Sequence, residues 1–207
     1  MFFKDRAEAG AKLAERFPQQ DYAGWSVVGI ARGGAVVGAQ VAKVLGIPLH
    51  VLVVEKLALR RGSLHVTSLG TAMVLGRRVR FIPDASTLKG SGSAAYATAR
   101  TRSNSYNGGQ LPSLASQRII LVDDGIVNGA TFAAARMSLL SRRALPEIAA
   151  FPVVPPWVPA WIGSQDPPCK LVTWRVSTIA APTGMFYFSF PDVVEEEITT
   201  SRLAGAS

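Results

Sequence analysis

The sequence predicts an α/β protein with a mostly parallel central sheet flanked by helices. Three observations lead there. Short apolar runs rich in β-branched residues recur along the chain, as WSVVGI at 25–30, LHVLVV at 49–54 and RIILVD at 118–123. Such runs suit strands buried on both faces. Two of the runs lead into a glycine-containing turn and then a stretch with helical spacing, which is the strand–turn–helix unit of parallel sheets with right-handed crossovers. The length, 207 residues, is enough for one such layered core and a small appendage.

The elements follow in order. Asp5 and Glu8 form a capping pair for a helix through Phe17, with Leu13 and Phe17 turned inward and Pro18 as the stop. Trp25–Ile30 is the first core strand, residues 31–34 (ARGG) are a tight turn, and Ala35–Leu45 is a helix closed by Gly46 and Pro48. Leu49–Val54 is the next strand. Residues 57–110 are the least regular part, expected to be a mobile loop region with short strands around 65–74 and 79–82. Within it, residues 89–109 are poor in large apolar side chains, and only a helical patch near 94–100 is expected. The second unit comprises a strand at Arg118–Asp123 and a helix at Thr131–Arg142. A strand at Glu147–Val154, a short helix at 157–162 and a last core strand at Leu171–Val176 follow. The aromatic segment PTGMFYFSF at 182–190 follows no helical pattern, and the acidic tail from Val193 is helical or disordered, so the ends or the middle loop are expected to add a small lobe to the core. No repeat or domain boundary is evident, so residues 1–207 read as one domain.

Composition narrows the function. Apolar residues make up 48% of the chain, which excludes a largely disordered protein. Lys43, His50 and Glu55 break the longest apolar stretch before it reaches membrane-span length. The start, MFFKDRAEAG, carries charges where a signal peptide needs an apolar core, so a cytoplasmic protein without a membrane partner is expected. The one cysteine, Cys169, cannot form an internal disulfide, and no Cys/His cluster suggests zinc. The net charge of +8 is concentrated. Between residues 56 and 110 stand Lys56, Arg60, Arg61, Arg77, Arg78, Arg80, Lys89, Arg100 and Arg102, against one acid, Asp84. A basic segment of this kind either meets phosphate, pyrophosphate or nucleic acid, or is a solvated face without a ligand.

The chemistry centres on residues 118–137. Two carboxylates, Asp123 and Asp124, follow a buried strand, and a small-residue turn then opens a helix. Unpaired N–H groups at a helix start, aided by the macrodipole, make an anion site. Adjacent acids would repel a phosphate, so they suit a neighbouring donor such as a ribose hydroxyl. The ARGG turn at 31–34 is a second place where backbone N–H groups can face an anion. A dinucleotide-binding layout competes, because Glu55 follows that turn by about twenty residues. Its fingerprint needs Gly-x-Gly-x-x-Gly, whereas the glycines here fall at 29, 33, 34 and 38.

At VDDGIVNGAT the chain resembles the type I phosphoribosyltransferases, whose signature is an apolar strand, two acids, a short turn and Thr-Gly-x-Thr opening a helix. The resemblance implies a fold with a small hood, and transfer of a 5-phosphoribosyl group from phosphoribosyl pyrophosphate to a small-molecule acceptor. It implies that Arg32, Gly33 and Gly34 hold the pyrophosphate, with a cis peptide at Ala31–Arg32. Lys56 would meet the same group. Gly125, Ile126, Val127, Asn128, Gly129, Ala130 and Thr131 would cradle the 5-phosphate. Asp123 and Asp124 would be the catalytic acids, holding the ribose hydroxyls and, through water, a Mg²⁺ carried by the diphosphate. Carboxylates there oppose the cost of oxocarbenium charge, while cations and N–H groups stabilise the departing pyrophosphate. A homodimer is also expected, without nucleic acid as a partner.

The chain departs from the pattern in places. Asn128 stands where the family has Thr. Val127 stands where some purine-salvage members carry a third acid, so the turn offers no general base. Glu55 precedes Lys56 where a branch of the family has Arg, and Arg60 and Arg61 are candidates to replace that charge. The DRAEAG start and the GMFYFSF segment resemble a little-characterised bacterial branch. In this reading Met185–Phe190 either belong to the core or stack a planar acceptor, Tyr96 and Tyr106 are candidates to close over the site, and His50 and His65 have no assigned role. The alternative is a non-enzymatic RNA-binding regulator on the same fold, using the basic segment.

Overall fold

The computed structural model describes residues 2–76 and 78–204, with side chains to residue 200. Arg77, one of the basic residues counted above, lies outside the described residues. One eight-stranded sheet organises them. Its strands are β1 (Trp25–Ala31), β2 (Leu49–Leu59), β3 (Gly62–Thr67), β4 (Ala72–Leu75), β5 (Val79–Ile82), β6 (Arg118–Val122), β7 (Leu145–Val154) and β8 (Lys170–Val176), in the order β5-β4-β3-β2-β1-β6-β7-β8. From β2 to β8 neighbours are parallel, whereas β3, β4 and β5 form an antiparallel arm on the outer half of β2. The expected architecture is therefore present, and the arm is its addition.

The core strands alternate sides, as a pleat requires. Val27, Ile120, Val122 and Ile148 pack against α1 (Arg6–Ala14) and α2 (Gly33–Leu45). Val28, Ile30, Ile119, Leu121 and Phe151 pack on the other face against α4 (Ala130–Ser141) and α5 (Val158–Gly163). Asp5 caps α1, its carboxylate accepting from the Glu8 N–H at 2.9 Å. The helix stops at Ala14, one turn short of the expected Phe17.

The region expected to be least regular is mostly regular. It holds the three arm strands and α3 (Ser91–Asn107), a 17-residue helix. Alanine is the strongest helix former, so a Ser/Ala-rich stretch needs no large apolar residues to be helical. Its inner face is built from small groups, with Ala95, Ala99, Ser103 and Asn107 buried at four-residue spacing. That lets the helix lie close to β2. The Asn107 amide donates to the Val51 carbonyl at 2.9 Å and its Oδ1 accepts from the Val51 N–H at 3.0 Å, in place of a neighbouring strand. The tail is helical as well, α6 (Glu195–Ala204), and Val193 and Ile198 join α2 and α3 in one cluster.

Candidate functional site

Parallel neighbours β1 and β6 end at the same edge of the sheet, so the turns that follow them meet there. Ala31–Arg32 is cis, as expected. Gly33 and Gly34 open α2, and their use is close approach. A Cβ on Gly33 would lie 1.9 Å from Asp124 Oδ2, and one on Gly34 would lie 2.6 Å from the Val122 carbonyl oxygen and 2.8 Å from Asp123 Cα. The first turn is thus pressed directly onto the acid pair.

The second turn lines a cavity at the start of α4. Asn128 Oδ1 accepts from the Ala130 N–H at 3.2 Å. Gly129 sits at φ +74°, a conformation that favours glycine, and caps α4 without a side chain. The first-turn N–H groups of α4 have no acceptor within the helix. A cavity of about 300 Å³ opens over them. Residues 125–131 line it, together with Asp123 and Lys56. Ile126 is buried in the core, and Val127, 59% exposed, stands at the rim.

The two acids differ. Asp123 lines the cavity, and its Oδ1 accepts from the Asp124 N–H at 2.9 Å. Burial, and then the neighbouring charge of Asp124, push the Asp123 carboxyl well above the usual range. Burial also raises Asp124, while Arg6 opposes the rise. Asp124 is not among the residues lining the cavity. Its Oδ2 accepts from Arg6 Nε at 2.8 Å, with side-chain exposures of 16% and 11% for the pair. The Arg6 guanidinium carbon lies 3.6 Å from the Phe190 ring centroid, and its Nη1 donates to the Pro191 carbonyl at 2.7 Å.

The aromatic segment closes around this ion pair. Tyr187, buried, donates its hydroxyl to the Asp124 carbonyl at 2.6 Å, and burial raises its phenol so that it stays a donor. Thr183 rests where a Cβ on Gly125 would be, 2.4 Å from its methyl. Phe186 and Tyr187 join Phe2, Phe3 and Trp174 in a cluster. Phe188, 80% exposed, and Met185 face outward.

Arg32 goes elsewhere than the cradle. With Ala31, Glu55, Arg102 and Tyr106 it lines an adjacent cavity of about 290 Å³. Residues 55 and 56 alternate along β2, so Glu55 faces this cavity while Lys56 faces the cradle. The negative charge of Glu55 does not stand alone, because Arg102 Nη1 donates to Glu55 Oε1 at 2.6 Å. Arg60 and Arg61 sit beyond, at the β2–β3 turn, and line neither cavity. Tyr106 is fully buried, with its hydroxyl donating to Glu195 at 3.3 Å, and Tyr96 lines a different cavity. Arg6 and Arg102 are the residues the sequence reading missed. The DRAEAG motif was visible, but its contact with Asp124 spans 118 positions.

Among the described residues no group of three or more His, Cys, Asp and Glu could hold a metal ion. The carboxylate of Asp123 in the cavity is an oxygen acceptor suited to the water shell of Mg²⁺, which keeps several waters and prefers one or two carboxylates with substrate phosphates. No helix of the described residues is long and apolar enough to cross a membrane.

The site is thus built where two glycine turns abut at the carboxyl ends of the parallel strands β1 and β6, the second turn preceded by paired acids. No family model matches the chain. In sequence it is similar to a protein of Mycobacterium tuberculosis, found in two strains and named "Putative phosphoribosyl transferase", with 29% identity over 208 residues. That alignment covers 95% of this chain and 45% of the relative, so the chain spans about half the length of these curated proteins. In structure it is similar to TT1426 of Thermus thermophilus, with a TM-score of 0.74, 26% identity and both chains wholly covered. A protein of Neisseria gonorrhoeae solved with bound ppGpp shares the fold, at a TM-score of 0.51 and 14% identity, over 99% of this chain and 95% of that one.

Proposed function

We propose that this chain transfers a 5-phosphoribosyl group from phosphoribosyl pyrophosphate to a small acceptor, releasing pyrophosphate. The observation that carries the reading is the single cavity in which Lys56, Asp123 and the Gly125–Thr131 turn converge on the start of α4. There the 5-phosphate takes the N–H groups of the turn, with Asn128 and Thr131 side chains as further donors. Asp123 faces the ribose hydroxyls. Lys56 and Arg32 flank the diphosphate from the two cavities, with the Arg102–Glu55 pair beside Arg32. Asp123 would hold, through water, a Mg²⁺ carried by the donor, and the ion would supply neutralisation of the diphosphate charge.

In the step itself the C1–oxygen bond to pyrophosphate breaks, and its electron pair leaves with pyrophosphate. An acceptor lone pair then forms the new bond to C1. With Val127 at the rim, the turn supplies no base, so the acceptor proton passes to water or to pyrophosphate. This favours an acceptor already nucleophilic as a neutral amine or an anionic ring nitrogen or oxygen. The outward-facing Phe188 and Met185 are the aromatic and thioether surfaces nearest in sequence to the hood contacts and are candidates to meet a planar acceptor.

Calorimetry with phosphoribosyl pyrophosphate and Mg²⁺ tests the reading. Binding to the wild type that is lost in Asp123→Asn/Asp124→Asn supports it, and equal binding by both proteins, or by neither, overturns the site assignment. The alternative, an RNA-binding regulator, is favoured by the exposed Arg60, Arg61, Arg78 and Arg80 on the arm. It predicts RNA affinity that falls linearly with the logarithm of salt concentration.

A further inference from the structure

A further cavity lies outside the site above. It measures about 490 Å³, sits between α3 and α4, and shares no lining residue with the cradle or with the Arg32 cavity. Its apolar floor includes Leu114 and Leu139. Tyr96, Arg100 and Asn104 reach it from one face of α3, at four-residue spacing. Arg142, just past α4, closes the other side. Its Nε and Nη2 both donate to the Leu69 carbonyl, at 3.2 and 2.6 Å, which fixes the guanidinium and leaves Nη1 out of that contact.

The lining is rich in donors and holds no carboxylate. The acid whose charge reaches Arg142 is Asp84, and its carboxylate caps the turn at 85–87, accepting from the Ser86 N–H at 2.9 Å. Arg100 makes no ion pair among the described residues. Its guanidinium carbon lies 5.8 Å from the Tyr96 ring centroid. Gln110 and Asn104 add amides. Arg100 and Arg142, neither in an ion pair with a carboxylate among the described residues, suit a phosphate, to which arginine binds through two N–H groups at once. A tyrosine face and a leucine floor suit a planar or apolar body attached to that phosphate.

We propose that this cavity is a second anion site, for a phosphomonoester carrying a planar ring, a ligand of the nucleoside monophosphate class. Arg100 and Arg142 hold the phosphate, Tyr96 packs on the ring, and Asn104 and Gln110 meet the sugar or the ring edge. The site stands independently of the transferase reading. It adjoins the elements of that reading, because α3 carries Arg102 and Tyr106 on its other flank, in the cavity with Arg32.

Titration of the full chain with 5′-AMP, inorganic phosphate and adenosine, with hydrogen exchange to locate the bound ligand, tests the proposal. The expected result is AMP binding stronger than that of phosphate or adenosine, with protection at 110–114 and 139–142. Arg100→Gln/Arg142→Gln should weaken AMP about tenfold or more, as loss of charge-assisted contacts does. Because Arg142 also supports the Leu69 turn, the single variant Arg100→Gln is the second arm. Its residue is exposed, and it should weaken AMP while leaving phosphoribosyl pyrophosphate binding unchanged. Protection confined to 125–131, AMP binding unaltered in both variants, or no AMP binding at all would overturn the site.

Discussion

Arg6→Ala tests the geometry around the acids most directly. The wild-type contact is an ion pair of 2.8 Å whose two side chains are 11% and 16% exposed. At an effective dielectric of about 20, unit charges about 4 Å apart attract by roughly 4 kcal/mol. Desolvation of the arginine offsets part of this in the wild type, but the variant leaves Asp124 enclosed without its partner, which costs about 3–5 kcal/mol in comparable buried pairs. The stacking on Phe190 and the hydrogen bond to Pro191 go as well. For a chain of this size, at about 2–4 °C per kcal/mol, the melting temperature should fall by roughly 6–20 °C.

Urea denaturation at pH 7.5 reads the loss, and the cycle Arg6→Ala, Asp124→Asn and the double variant isolates the coupling. The double variant should recover much of what the single one loses. The gap should also narrow in acid. Arg6 holds Asp124 down, so its removal lifts the folded carboxyl further above the unfolded value, and that penalty fades as pH falls toward about 4. A loss below about 1 kcal/mol, or a coupling near zero, would mean that the pair does not hold the hood segment to the acid turn.

Three further outcomes are expected. Asp123→Asn should abolish donor binding yet be more stable than the wild type at pH 7.5. The folded Asp123 carboxyl is raised, so the folded state holds more protons than the unfolded one above about pH 4, and wild-type stability declines as pH rises through that window. Urea midpoints at pH 4 and 7.5 check this, and a variant less stable than the wild type at pH 7.5 refutes it. Gly34→Ala should cost about 1–3 kcal/mol or more by overpacking, since the atoms it meets are strand backbone that cannot turn aside, and calorimetry reads it. Arg102→Ala should raise the KM for phosphoribosyl pyrophosphate by leaving Glu55 unneutralised beside Arg32, and Glu55→Gln in the same background should restore part of it. No change in KM would place Arg102 outside donor binding.

The features legible in the sequence are those whose signal lies within a few residues. A strand that runs into glycine and then a helix is contiguous in the chain, so both turns are legible in it, whereas the cis peptide at Ala31–Arg32 was expected only from the family resemblance. The acid pair, contiguous like the turns, was visible too. Hydropathy patterning failed at α3 because that helix buries alanine, serine and asparagine, and small buried groups leave no apolar period. The arm strands were foreseen in part, but their antiparallel pairing onto β2 was not.

Only the tertiary structure divided the work of the site. It turned Asp123 to the cavity and tied Asp124 to Arg6, it answered Glu55 with Arg102, and it sent Arg32 and Lys56 to different cavities. The physical reason is that a side chain's own neighbours fix which way it leaves its strand or helix. What it meets there depends on α1 and α3 docking on the sheet, through pairs of residues that are distant in the sequence and carry no mark of one another.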